Sequence, residues 1–310
     1  MKPERVNDFF AFARERHDVY LRRRSGLPPP WTEDPILLEN RFTNVYRELD
    51  ATTVWFRENV RNRLRDTPEV LLATVVFRWF NKTEIGQIVF QQPDLMTNRV
   101  PWEHFLEGGR AHDLSAPIRR VYPDGPWVTG SYMIRSPDGM DKLNGVSRLC
   151  ADFHNAGKWR DTADRVRDGL YNLESFTNLL AEIPFLGGFL AYEITTDLRH
   201  TALLENAPDI MTWANPGPGA QRGLNYLSDR QVRNPRKPTM KYQYNVKLKS
   251  EQTVAEMREL LELSRLTRHW PSSHLALEMR DIEHTLCEYF KYIRVRVTGQ
   301  GTRRRFTSRV

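Results

Sequence analysis

The chain has 310 residues, 40% of them hydrophobic and 27% charged, a balance that fits a folded soluble protein and excludes a disordered one. It has no apolar run long enough to span a bilayer and no signal-peptide core at its start; its two cysteines exclude a disulfide framework and an all-cysteine metal site. The formal charge of +7 favours a polyanionic partner, of which nucleic acid is the commonest, and cysteine usage suits a reducing cytoplasm.

Helical spacing dominates from the start. Val6, Phe9, Phe10, Ala13, His17, Tyr20 and Leu21 recur on one helical face, and Gly26 ends the pattern. Arg22, Arg23 and Arg24 form a basic cluster before the stiff Pro28-Pro29-Pro30 connector. Residues 39–50 are predicted helical, with Phe42, Val45, Tyr46 and Leu49 inward. Arg47 then stands near Arg41, Asn44 and Asp50, so polar groups border aromatics in a way that suits a base pocket. A salt-bridged outer helix face is the plainer alternative. Thr67-Pro68-Glu69 opens a helix that runs to Phe80 and is apolar almost all round, hence core. Shorter helices are predicted over 83–90 and 101–107. Residues 127–134 form the best strand candidate, between two Pro/Gly turns. A helix is expected over 142–154.

Residues 173–192 read as helix, tight turn and helix. Leu179, Leu180 and Ile183 share a face, Pro184 stops the first helix, and Gly187-Gly188 permit a close approach. The second helix starts with free N–H groups, which suit a phosphate. A helix–hairpin–helix of this kind grips a nucleic-acid backbone; an ordinary helical hairpin is the alternative. Asp197 follows, as an acid follows the hairpin in the DNA glycosylase superfamily. The turn Gly217-Pro218-Gly219-Ala220-Gln221-Arg222-Gly223-Leu224 offers loop amides, a helix start and an arginine, so an anion site is as good a reading as a structural turn. Residues 228–250 are polar and basic and read as a loop. Helices are predicted over 253–268 and 275–292. On the latter, Ile282, Leu286 and Tyr289 make an apolar stripe, and Arg280, His284, Cys287 and Lys291 follow a neighbouring face. Asp281, His284 and Glu288 have metal-compatible spacing, but one His and two acids on a charged helix favour an ion-pair network, so no metal site is expected. From Arg294 onward there are six arginines and no acid, suited to phosphate contact or to a solvated tail. No P-loop, zinc-deaminase or His-Glu-x-x-His pattern is present.

The motifs, taken in order, resemble one family. They are Asn40-Arg41-Phe42-x-Asn44-x-Tyr46-Arg47-x-x-Asp50, and Thr129-Gly130-Ser131-Tyr132-Met133-Ile134 with Lys142. Pro184-Phe185-Leu186-Gly187-Gly188-Phe189-x-Ala191-Tyr192-Glu193 with Asp197 follows, then the Gly217-Pro218-Gly219 turn, then Asp281-Ile282-Glu283-His284-x-Leu286-Cys287-Glu288-x-x-Lys291-Tyr292. This resembles the α-glutamyl/putrescinyl thymine pyrophosphorylase family, related to the helical domain of phage 5-hydroxymethyluracil DNA kinases.

The resemblance implies a mainly α, helical DNA-glycosylase-like (helix–hairpin–helix) fold. It also implies a transferase of thymine hypermodification in phage-infected bacterial cytoplasm. Such an enzyme displaces pyrophosphate from 5-pyrophosphoryloxymethyluracil in double-stranded DNA with an amino acid, such as glycine, or a polyamine. A DNA 5-hydroxymethyluracil kinase would supply the substrate, and no membrane partner is expected. Within that reading Asp197 or Glu283 takes the amine proton. Asn40, Arg41, Asn44, Tyr46, Arg47, Lys142, Arg222, His284 and Lys291 surround the base and the departing anion. Gly187, Gly188, Arg303, Arg304 and Arg305 hold DNA. No cofactor is assigned, and a divalent metal is left open. The expected organisation is a basic helix and connector over 1–30, a catalytic domain over 31–293 and a basic tail over 294–310. The alternatives are a DNA glycosylase acting on modified bases, or a non-catalytic DNA-binding partner of the kinase.

Overall fold

A computed structural model describes residues 1–131, 133–232 and 239–302. The described residues are helical, with no β-strand among them. The chain divides into two compact units: Met1–Asp50 with Ile210–Val310, and Ala51–Asp209.

The unit formed by Ala51–Asp209 is organised around the Glu69–Phe80 helix. Its residues from Val70 to Phe80 are all buried, as its apolar sequence on every face requires. Asn81 in the left-handed region ends it. Phe56 stacks on Phe77 with ring centroids 4.4 Å apart. The helices Lys142–Asn155, Trp159–Arg167 and Gly187–Leu198 pack on it. Leu173–Ala181 pairs with Gly187–Leu198 across the predicted hairpin, through buried Phe176 and Leu180 and a Thr177–Thr195 hydroxyl bond of 2.9 Å. Asn172 and Ser175 form a capping box, and Asp209 accepts from the N–H groups of Leu173 and Glu174. The sequence did not anticipate the helical stretch from Ala51–Phe56 through Asn62–Leu64, the helix Ala111–Val121, which carries Pro117 inside it, or the highly charged Trp159–Arg167.

The expected strand over 127–134 is not formed in the described residues there. A lone strand has no ladder partner. Thr129 N instead donates to Phe80 O at the end of the core helix (2.9 Å), and Trp127 Nε1 donates to Tyr122 O (2.7 Å).

The other unit is built on Met279–Thr298, opened by a Glu278/Asp281 capping box and ended by Gly299 at φ 67°. Pro3–Arg24, Pro218–Leu227 and Ser250–Ser264 pack around it. Phe9, Phe12 and Tyr289 interlock, with Phe9 and Tyr289 centroids 5.4 Å apart. Tyr289 donates to Asp8, and burial pushes its phenol well above the ordinary range.

His17 lies on the buried side of Pro3–Arg24, against Tyr46, Trp270 and His274. Burial, with His274 and Arg16 beside it, lowers its pKa to about 4. The unfolded chain, with an ordinary imidazole near 6.5, therefore binds more protons than the fold does. This contribution is fully present above pH ~6.5 and is lost as pH falls towards 4. Burial also lowers His269, which acts in the same direction. Melting temperature should thus drop between pH 7 and pH 4.5, and His17→Phe should flatten that drop. An unchanged profile in the variant would assign the acid sensitivity to other groups.

Candidate functional site

Two motifs far apart in sequence meet within the first unit. Pro35–Glu39 is a short helix capped by Asp34, whose carboxylate accepts from Ile36 N and Leu37 N. It stops at Asn40, so residues 41–46 do not form the predicted helix, and only Arg47–Leu49 makes a 3-10 turn. The reason is that side chains take the backbone donors a helix would use. Thr43 N donates to Glu288 Oε2 (2.9 Å), and Asn44 N donates to Asp50 Oδ1 (2.9 Å). Phe42, Val45 and Tyr46 are nonetheless buried, as expected, while Leu49 is half-buried.

Residues 40–50 thereby lie against the Met279–Thr298 helix. Thr43 Oγ1 is 2.7 Å from His284 Nε2. Lys291 Nζ donates to Glu288 Oε2 (2.8 Å) and sits 4.6 Å from the centre of the Phe42 ring. Asn44 Nδ2 donates to Leu49 O (2.8 Å), and Arg47 Nη1 donates to Asp50 Oδ2 (3.0 Å). His284, Glu288, Lys291, Asn44 and Arg47 thus form one polar cluster with buried aromatics beside it. Arg41 is exposed. Asn40 and Tyr46 are anchored otherwise. Asn40 accepts from Thr302 N (2.7 Å) and donates to Ile36 O (3.0 Å). Tyr46 donates to Leu275 O, and burial raises its phenol to about 12. Both tie the segment down.

Sequence reading missed Arg16. Its Nη2 donates to Phe42 O (3.0 Å) and to Asn44 Oδ1 (2.9 Å), so it orients Asn44. Burial lowers its pKa, opposed by Asp50 and Glu288. The available signal was its position one helical turn after Phe12, next to the inward face of Pro3–Arg24.

The glycine turn joins the same helix. Gly217 caps Pro218–Leu227, and Glu283 Oε1 is the nearest atom to where its Cβ would stand, at 3.9 Å. Glu283 is buried and accepts from Arg280 Nη1 (2.8 Å). A Cβ on Gly219 would fall 2.3 Å from Cys287 Sγ, and one on Gly223 would fall 2.6 Å from Leu286 O. The two glycines allow the helices to approach. Cys287 reaches solvent at one side, while desolvation by the helix packed against it, with Glu288 and Glu283 nearby, pushes its thiol up to about 12. Arg222 is half-buried; burial lowers its pKa, Nη2 donates to Asn245 Oδ1 (3.2 Å), and Nε has no hydrogen-bond acceptor among the described residues.

Asp197, Lys142, Gly187 and Gly188 belong to the other unit. Asp197 is buried. Arg78 grips it with both Nε and Nη2, the latter at 2.7 Å, and Arg61 Nη1 lies 3.7 Å from Oδ1. Arg78 also donates to Asn81 Oδ1 (2.7 Å) and Thr53 Oγ1 (3.1 Å). Lys142 Nζ donates to Ile134 O and Ser136 Oγ, both at 2.9 Å. Gly187 and Gly188 are exposed at the start of their helix. Arg303, Arg304 and Arg305 lie outside the described residues. Among the described residues, no group of three His, Cys, Asp or Glu side chains is placed to hold a metal ion, and no helix is long and apolar enough to cross a membrane.

Comparison with known proteins gives these arrangements a family. The family model described as "5-hmdU DNA kinase, helical domain" matches residues 3–301. A protein of Bacillus phage SP10 named "5-hmdU DNA kinase" is 28% identical over 229 residues, covering 69% of this chain and 34% of that protein. The chain spans about a third of the length of that relative. No solved structure matches. With nearly all its residues matched by that model, the chain belongs to the family of 5-hmdU DNA kinase helical domains.

Proposed function

We propose that this chain is a transferase of thymine hypermodification, replacing pyrophosphate on 5-pyrophosphoryloxymethyluracil in DNA with the amine of an amino acid or polyamine. The family match over residues 3–301 supports a place in 5-hydroxymethyluracil DNA modification, and the transferase step rests on the resemblance of the chain's motifs to the thymine pyrophosphorylases. The convergence of three of the chain's motifs on the Met279–Thr298 helix supports it. The helices Leu173–Ala181 and Gly187–Leu198 suit a helix–hairpin–helix grip of the glycosylase-like kind on the backbone. A DNA 5-hydroxymethyluracil kinase would make the pyrophosphorylated substrate in the infected bacterial cell.

In this mechanism the base is flipped out of the duplex. The amine lone pair attacks the exocyclic methylene, a C–N bond forms, and the C–O bond to pyrophosphate breaks. The amine proton goes to a carboxylate, for which Glu283 beside the Gly217 turn is our assignment. Arg222 stabilises the departing anion. His284, Lys291, Asn44 and Arg47 border the base. Asp197 acts by holding Arg78 rather than as the base, because both its oxygens are engaged by guanidinium.

A second reading has its own support. The chain corresponds to about a third of the SP10 kinase, which fits a DNA-binding helical module that partners a kinase active site. Mass spectrometry of nucleosides separates the two. DNA containing 5-hydroxymethyluracil is incubated with a matching kinase, ATP and pooled amino acids and polyamines, with and without this protein. A protein-dependent amine adduct on the pyrimidine supports the transferase. DNA binding without any mass change supports the module, and abasic sites would support a glycosylase.

Arg222→Gln gives a finer test. Single-turnover conversion of pyrophosphorylated DNA should slow by about tenfold or more, on the order of 1.4 kcal/mol, while affinity for unmodified duplex holds. Equal losses in both assays would make Arg222 a backbone contact instead.

A further inference from the structure

The hairpin between Leu173–Ala181 and Gly187–Leu198 inverts the usual burial of its side chains. Leu186 and Leu190 are buried, each 5% exposed, while the larger Phe185 and Phe189 are 43% and 54% exposed. Exposed apolar residues are ordinary in themselves. Phe185 is different because its backbone sits at φ 67°, a region bulky residues rarely occupy. Gly187, two residues on, has φ 66°, with nothing within 4 Å of the place its Cβ would fill. A strained backbone that delivers an aromatic ring to solvent points to use of that ring. Replacing Phe185 with glycine would relieve the strain, so folding alone does not explain its presence.

We propose that Phe185 and Phe189 form an aromatic finger on which unpaired DNA bases stack where the duplex is opened. This rests on the DNA reading given above and adds a contact of a different kind to the backbone grip of Gly187 and Gly188. The chain's positive charge provides attraction to phosphates but no affinity for bases. An aromatic face supplies that, without sequence preference. A protein that exposes a modified thymine leaves neighbouring bases unstacked, and exposed phenylalanine rings suit such a surface.

The test is the double variant Phe185→Ala Phe189→Ala in the full chain. Binding is measured against salt, with duplex containing 5-hydroxymethyluracil and with single-stranded DNA. Loss of stacking should weaken binding by about tenfold or more at every salt concentration, with the salt slope unchanged, because no phosphate contact is removed. Phe185→Tyr Phe189→Tyr, which keeps both rings, should bind as wild type does. Unchanged affinity in the alanine variant would overturn the proposal. So would a loss accompanied by a shallower salt slope, which would make the hairpin a phosphate contact only. If wild type itself fails to bind either DNA, the DNA reading falls first and this proposal falls with it.

Discussion

Asp197→Ala should markedly destabilise the Ala51–Asp209 unit, whatever it does to chemistry. Asp197 faces two buried arginines, and one of them, Arg78, spends two of its donors on it. Removing one partner of a buried pair leaves a charge without compensation, a loss of about 3–5 kcal/mol. For a unit of this size that is a melting-temperature drop on the order of 10 °C. Arg78 also connects Thr53, Asn81 and the Gly187–Leu198 helix, so its displacement would reach three elements of the core. Asp197→Asn, which keeps one acceptor oxygen, should lose less. Asp197→Ala combined with Arg78→Met should recover part of the loss, since a well-packed apolar pair replaces the buried ions. Thermal melts of the three variants check this. Wild-type stability in Asp197→Ala together with abolished turnover would instead give Asp197 the proton-transfer role that the hairpin resemblance implies.

The setting of Asp197 shows which information the sequence carried. The order hairpin then acid was legible, because Pro184 and the two glycines punctuate the chain locally. The partner of Asp197 was not, since Arg78 lies 119 positions away inside a helix that reads as plain core. The same contrast holds in the other unit. The apolar stripe Ile282, Leu286 and Tyr289 follows from helical period and is buried as expected. Residues 40–50 misled because their aromatic spacing is helical, while Glu288 and Asp50 take the backbone N–H groups of Thr43 and Asn44. Period is a local signal. A carboxylate 245 positions away that satisfies a backbone donor leaves no trace in it. Arg16 was legible only as a residue beside the inward face of its helix, since its value lies in holding Phe42 O and Asn44 Oδ1.

Gly223→Ala should be the most damaging small substitution in the candidate site. The new methyl would stand 2.6 Å from Leu286 O and 3.2 Å from Leu286 C and Cβ. The obstacle is largely backbone in the middle of the Met279–Thr298 helix, so a rotamer change does not relieve it. Alanine does favour a helix over glycine by roughly 0.5–1 kcal/mol. Overpacking typically costs about 1–3 kcal/mol, and against a helix backbone the upper part of that range applies. The net result should be a lower melting temperature. The functional loss should be larger than the stability loss, because the helix that must move carries Arg222, and the helix it moves away from carries Glu283 and Cys287. Gly219→Ala provides the internal comparison. Its methyl meets Cys287 Sγ at 2.3 Å, a side-chain atom, so the double variant with Cys287→Ala should regain part of the stability. No change at Leu286 that keeps its backbone should rescue Gly223→Ala, since the first obstacle is a carbonyl oxygen. Melting curves and single-turnover rates of Gly223→Ala, Gly219→Ala and the Gly219→Ala Cys287→Ala double variant check the argument. A Gly223→Ala protein as stable and as active as wild type would mean that these two helices do not approach so closely in solution.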